Sequence, residues 1–130
     1  MQAVKITVPG RPVPKGRPRL GVRGKKAFIY TPPETREFEE TVRVYAVKHK
    51  VKKQNGDLAA IATFYTGGQG DVDNLLKSLM DGLNGVAWED DRQVKVVIGV
   101  KLNCPKGQER TEVIIARADE VMPLLKKVAI

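Results

Sequence analysis

The sequence is poor in residues that form covalent or metal cross-links, with one cysteine, Cys104, and one histidine, His49, in 130 residues. A single cysteine excludes an internal disulfide, and the two residues are too few for a cysteine- or histidine-rich metal site. Any bound metal would therefore be held by carboxylates. No apolar run approaches the ~18 residues that span a bilayer, and residues 1–8 lack the apolar core of a secretion signal. We expect neither a membrane partner nor secretion.

Acidic residues are absent from the first 30 positions, which carry eight lysines and arginines. The other 100 residues carry 15 basic and 15 acidic side chains, so the whole net charge of +8 lies in the N-terminal segment. Such an uneven distribution points to a polyanionic partner, and nucleic acid is the first candidate. Proline and glycine recur through residues 9–26 and predict a basic loop or arm.

Six cations of this arm are our candidates for contacts with nucleic-acid phosphates: Lys15, Arg17, Arg19, Arg23, Lys25 and Lys26. Contacts from arginine and lysine to phosphate position a protein on its ligand but carry no sequence information. The alternative is a solvated basic loop without a ligand.

Hydropathy alternation and helix signals predict one small domain over residues 1–130, of the α+β (mixed α/β) class. The predicted order is β-β-α-β-α-β-β-α, with one mixed sheet packed by helices. Strands are expected near residues 2–8, 27–30, 57–66, 93–102 and 111–116, and helices are expected after residues 31, 73 and 119.

The helix starts carry capping signals. Thr31 as N-cap, Pro32 at the first helical position and Glu34 two residues later predict a capping box for the first helix. Asp73 is the expected N-cap of the second helix. The last helix is expected to bury four apolar residues, Val121, Leu124, Leu125 and Val128.

Two acidic clusters carry the chemistry that the sequence suggests. Asp71 and Asp73 are two residues apart at a loop–helix junction, where an extended backbone points both carboxylates the same way. Lys77 follows Asp73 by four residues and shares its helix face. Asp90 and Asp91 precede a predicted core strand. We expect carboxylates from the two segments to converge.

A convergence of carboxylates without cysteine or histidine suits a hard cation such as Mg²⁺, which takes one or two carboxylates plus waters and phosphate oxygens. Such an ion can polarise a phosphodiester and activate water, and a nearby lysine can stabilise the charge that develops. Each residue also has an ordinary structural explanation, because aspartates cap helices and form turns and lysines are usually solvated. The two explanations stay open on the pattern alone.

Three blocks in order closely resemble the RusA family of Holliday junction resolvases. They are GDVDNLLK at 70–77, DGLNG at 81–85 and WEDDRQV at 88–94. The resemblance implies a homodimeric, Mg²⁺-dependent endodeoxyribonuclease, with Mn²⁺ as a substitute, that nicks four-way junction DNA symmetrically in recombination and repair. It implies no small-molecule substrate, and a cytoplasmic enzyme of bacterial or phage origin.

The resemblance also implies roles for individual residues. Catalytic roles fall on Asp71, Asp73, Asp91 and Lys77, with the three acids as metal ligands and Asp90 in support. Two other functions remain open on the sequence. One is a basic nucleic-acid-binding module without catalysis, and the other is a less selective metal nuclease that acts on flaps and forks.

Overall fold

The structure is a computed structural model that describes residues 3–68 and 70–129. Its elements are β1 (Val4–Pro9), β2 (Arg19–Arg23), β3 (Lys26–Tyr30), α1 (Pro33–Lys48), β4 (Leu58–Tyr65), α2 (Val72–Leu83), a 3₁₀ turn (Asp91–Gln93), β5 (Val94–Leu102), β6 (Arg110–Arg117) and α3 (Ala118–Ala129). Within these described ranges, no helix is both long and apolar enough to cross a bilayer.

Four strands form one mixed sheet in the order β1-β6-β4-β5. β6 pairs antiparallel with β1 and β4, whereas β4 and β5 are parallel and α2 connects them. A parallel pair needs such a crossover, because the chain must return to the starting end of the sheet. The prediction of a small α+β domain with helices packed on one mixed sheet is confirmed.

The two faces of the sheet have cores of different size. Alternate residues of the central strands, such as Ala60 and Phe64 of β4, face α1 and α2 in a fully buried cluster that includes Trp88. The other face is covered in part by α3, whose Val121 packs near Ala59. The helices α1 and α2 therefore shield the larger part of the core, and α2 also carries the acidic motif.

The first half of the arm crosses α1 and α2 instead of forming a free loop. Ser78 Oγ donates to the carbonyl of Val13 at 2.5 Å, and the amide of Lys15 donates to the carbonyl of Asn74 at 2.9 Å. The amide of Gly16 donates to Thr35 Oγ1 at 3.0 Å. We call residues 12–16 the strap, because these hydrogen bonds hold the segment across both helices.

The second half of the arm is a β-hairpin. Residues 19–23, predicted as part of a loop, form β2 and pair antiparallel with β3 in a separate two-stranded sheet. The turn between the strands contains Gly24, whose φ of +64° favours glycine. The prediction missed β2 because glycine and the basic residues obscure its short alternation.

Several expected helix details are corrected. α1 begins at Pro33 with Pro32 as N-cap, so Thr31 does not cap it. The N-cap of α2 is Asp71, two residues before the expected Asp73. In α3, Leu124 and Val128 are exposed instead of buried, because α3 covers the sheet only with the side that holds Val121 and Leu125.

The close crossing of α1 and α2 requires glycine at position 82. A Cβ on Gly82 would lie 2.9 Å from Val42 Cβ and 3.1 Å from the carbonyl oxygen of Glu39. We predict that Gly82→Ala lowers the free energy of unfolding by about 1–3 kcal/mol, measured by urea denaturation. Gly67→Ala is the matched control, because a Cβ there approaches only Asn103 Oδ1, at 4.0 Å. Equal urea midpoints for the two variants would refute this packing constraint.

Candidate active site

The first acidic pair lies at the start of α2. Asp71 is the N-cap, with an extended backbone, and its side chain makes no capping hydrogen bond. Asp73 lies in the first helical turn, and both side chains are exposed. Among the described residues, neither carboxylate has a hydrogen-bond or ion-pair partner, so their oxygens are available for a ligand. Lys77, also exposed, lies one turn further along the same helix face.

A lysine that sequence reasoning missed holds the loop before Asp71. Lys101 Nζ donates to the carbonyl oxygens of Gly68 at 2.8 Å and Gly70 at 3.1 Å. Gly70 has a φ of +115° and lies against Pro14 of the strap. The loop is therefore fixed from β5 on one side and from the strap on the other. Only the pairing of β4 with β5 reveals that Lys101 reaches this loop.

The second acidic pair is held by a tryptophan and a capping arrangement. Trp88 is fully buried, and its Nε1 donates to Asp91 Oδ1 at 2.7 Å. Asp90 caps the 3₁₀ turn by accepting from the amide of Arg92 at 2.8 Å. Hydrogen bonds from the Arg92 side chain and backbone lower the pKa of Asp90. Asp90 is thus fixed as the cap of the 3₁₀ turn, and its supporting role at a metal stays a prediction.

Gln93 completes this arrangement from the end of the 3₁₀ turn. Its Oε1 accepts from the amides of Glu89 at 2.9 Å and Asp90 at 3.1 Å. Its Nε2 donates to the carbonyls of Gln54 at 2.9 Å and Gly56 at 3.1 Å. The WEDDRQV block is therefore a hydrogen-bonded unit that presents Asp91 at the surface.

The structure does not bring the two acidic pairs together within one chain. Asp71 follows β4 at its carboxyl end, whereas Asp91 precedes β5, whose start lies beside the start of β4. α2 runs between the two ends, and its 12 residues span roughly 18 Å. Within residues 3–68 and 70–129, no group of three or more acidic, histidine or cysteine side chains forms a metal site. The expected convergence is absent from the single chain because the two acids flank opposite ends of a parallel crossover.

The available donors still fit a hard divalent cation. Asp71 and Asp73 supply carboxylate oxygens alone, and Mg²⁺ accepts one or two carboxylates when waters and substrate phosphates complete its shell. The amides at the start of α2 and the nearby Lys77 favour phosphate at the same place. The start of α2 is therefore the better candidate for the metal, and Asp91 alone is not a site.

One candidate DNA contact is engaged inside the protein. Lys15 Nζ lies 2.8 Å from both Glu39 Oε2 and Asp81 Oδ2, and its side chain is only 22% exposed. Burial alone lowers the pKa of Lys15, but hydrogen bonds and charges from Asp81 and Glu39 outweigh it and raise the pKa. Lys15 is therefore an ion-pair partner that holds the strap against α1 and α2, and its expected contact with phosphate, for which these ion pairs would have to open, stays a prediction.

The other five candidate DNA contacts are exposed. Arg17 precedes the hairpin, Lys25 lies in its turn, and Arg19, Arg23 and Lys26 lie on its strands. Arg19 is 3.8 Å from Glu34, a long and solvated ion pair. These five side chains are free to meet a polyanion, and their contact with DNA stays a prediction.

Two comparisons with known proteins bear on these sites. A family model described as endodeoxyribonuclease RusA matches residues 9–116, which contain the strap, the hairpin and both acidic pairs. An uncharacterized protein of Bacillus subtilis, YqaN, is 27% identical in an alignment 118 residues long, and the match covers 72% of this chain and 83% of that protein.

The ion pairs of Lys15 should contribute measurably to the free energy of unfolding. Lys15→Met leaves Glu39 and Asp81 uncompensated, and we predict a loss of about 1–3 kcal/mol in the free energy of unfolding at neutral pH. Because the pKa of Lys15 is raised in the folded state, this contribution is present below pH 10.5 and lost as the pH rises through the raised value.

The matched control is Lys25→Met in the exposed hairpin turn, where a change below about 0.5 kcal/mol is expected. Urea denaturation of both variants makes the comparison. Identical urea midpoints at neutral pH would show that Lys15 is solvated in solution.

Proposed function

This chain belongs to the RusA family of endodeoxyribonucleases, and from that membership we propose that it is a Mg²⁺-dependent enzyme that resolves four-way DNA junctions. It would cut by paired symmetrical nicks, in recombination and repair, in the cytoplasm of a bacterium or a phage-infected cell. The observation that carries the proposal is the exposed Asp71–Asp73 pair at the start of α2, with Lys77 on the same helix face. A strongly basic hairpin next to α1 supports a DNA substrate.

The proposed enzyme is a homodimer for two physical reasons. A four-way junction has two scissile phosphates related by two-fold symmetry, which a C₂ dimer matches with two identical sites. The separation of Asp91 from Asp71 and Asp73 also leaves this pair without a third acid beside it among the described residues of one chain. We place Asp71, Asp73 and Lys77 of one protomer together with Asp91 of the partner subunit, so that each site is shared.

Each residue has a defined part in this proposal. Asp71 and Asp73, with Asp91 of the partner subunit, would hold the cation, which when bound polarises the scissile phosphate and acidifies a water. Lys77 would stabilise the charge that develops on the phosphate oxygens. The free amides of the first turn of α2 would orient the same phosphate. Trp88 and Asp90 position Asp91 without touching the substrate.

The first test is cleavage of branched DNA. We predict that Asp71→Asn retains folding and junction binding but reduces cleavage of a synthetic four-way junction at least roughly a hundredfold, since one metal ligand is lost. Glu120→Gln on α3 is the control and should cleave like the wild type. Gel assays in Mg²⁺, with EDTA as blank, measure the rates.

The same assay on other substrates separates the competing functions. Equal wild-type cleavage of junction, flap, fork and linear duplex would favour the less selective nuclease. A mobility shift without product in either Mg²⁺ or Mn²⁺ would favour the non-catalytic binding module. Wild-type cleavage rates for Asp71→Asn would refute the metal-site assignment.

Mixing two inactive variants tests whether the site is shared. A heterodimer of Asp71→Asn with Asp91→Asn chains contains one site with both defects and one intact site, if acids come from both protomers. We predict that the mixture regains about a quarter of the wild-type sites and produces single nicks instead of paired ones. Nicking of a supercoiled plasmid that carries an extruded cruciform measures this.

A mixture of Asp71→Asn chains with Asp73→Asn chains is the control. Both changes fall in the half of the site that one protomer supplies, so no pairing of these chains restores an intact site. If the Asp71→Asn and Asp91→Asn mixture stays as inactive as this control, the acids are not contributed by different protomers.

A further inference from the structure

The β2–β3 hairpin has two chemically different faces. Cross-strand pairing places Leu20 beside Ile29 and Val22 beside Ala27, so these four residues share one face. Their larger side chains are unusually exposed, at 70% for Leu20, 68% for Val22 and 75% for Ile29. The opposite face carries basic and aromatic residues: Arg19, Arg23, Lys26, Phe28 and Tyr30.

The aliphatic face needs a partner for physical reasons. An isolated two-stranded hairpin is at best marginally stable in water unless a hydrophobic face packs on something. On the other face, Phe28 covers Gly21, where an added Cβ would lie 2.5 Å from the Phe28 ring. The ring centroids of Phe28 and Tyr30 are 5.8 Å apart. No comparable cover exists for the aliphatic face among the described residues, since its side chains remain about two-thirds or more exposed.

We propose that this aliphatic face packs against a second copy of this chain. The proposal rests on the homodimer of the proposed function and deepens it by naming a surface that forms the dimer. The four aliphatic side chains offer no hydrogen-bond donor, so they suit an apolar protein surface and not phosphate.

The distribution of charge favours a second copy over DNA as the occupant. DNA against the aliphatic face would turn Arg19, Arg23 and Lys26 away from the phosphates. A protein partner on that face leaves the basic face directed outward, where DNA can reach it. It also keeps the cations out of the interface, where like charges from two copies would repel.

The size of the face fits part of an interface. At the exposed fractions of Leu20, Val22 and Ile29, and with Ala27 also exposed, the four residues present on the order of 400 Å², which is within the range of patches that mark interaction sites. A standard interface buries about 800 Å² per partner, so the aliphatic face would supply about half of one. Loss of the aliphatic face should therefore weaken the dimer strongly.

Sedimentation equilibrium of the full chain is the first test. The wild type should behave as a dimer of the 14.4 kDa chain. Leu20→Ser with Ile29→Ser should raise the dimer dissociation constant about a hundredfold or more. Arg19→Ser with Arg23→Ser, two matched changes on the opposite face, should leave the dissociation constant within about threefold. Circular dichroism and thermal melting check that both variants fold.

A milder variant keeps the test valid if the serine changes disturb the hairpin. In a Cys104→Ser background, Val22→Cys places one thiol on the aliphatic face and Lys26→Cys places one on the basic face. Without DNA, Val22→Cys should react slowly with iodoacetamide when the protein is dimeric and at least tenfold faster after dilution to monomers. Lys26→Cys should react fast at both concentrations.

These measurements test the proposed dimer surface without any measurement of DNA cleavage. A monomeric wild type, an unchanged dissociation constant in the serine variant, or a Val22→Cys thiol that only DNA protects would overturn the proposal. The last result would make DNA the occupant. If the dimer behaves as predicted but no junction is cleaved, the proposed function fails while the interface stands.

Discussion

The parallel pairing of β4 with β5 is the constraint on which the arrangement of the functional residues depends. It forces the chain to cross from one end of the sheet to the other through α2, and it places the motifs that flank the crossover at opposite ends. Asp71 and Asp73 therefore lie at the same end of the sheet as Lys101, which holds the loop that precedes Asp71. Asp91 lies at the opposite end, where it accepts a hydrogen bond from Trp88. A sheet with β4 and β5 antiparallel would not need this separation.

Much of the fold is predictable from the sequence because its signals are local. Alternation identified the strands around Val4–Pro9, Leu58–Tyr65, Val94–Leu102 and Arg110–Arg117, and apolar spacing identified the three α-helices. The exact caps were not predictable, because Pro32 and Asp71 occupy positions for which neighbouring residues are chemically as suitable. β2 was not predicted because its five residues, RLGVR, include a glycine and two arginines that obscure the alternation.

The motif blocks select Asp71, Asp73, Asp91 and Lys77 as candidate site residues, and that selection stays a prediction. The distances between these residues depend on whether β4 and β5 run parallel, which no local pattern encodes. Lys15 illustrates the same limit for charge. It is one of eight cations in an acid-free segment, yet Glu39 and Asp81, distant in sequence, form partly buried ion pairs with it. Net charge describes the attraction to a polyanion but does not show which side chains remain free to contact it.

The distance between Asp91 and the acids of α2 also affects how activity would depend on the amount of protein. If a site needs acids from two protomers, the population of competent sites falls with the square of the chain concentration once the dimer dissociates. A monomer bound to duplex DNA through its basic hairpin would then lack a complete site and leave the DNA uncut. Dissociation of the dimer would thus protect the genome, and cleavage would begin only where two copies meet at one branch point.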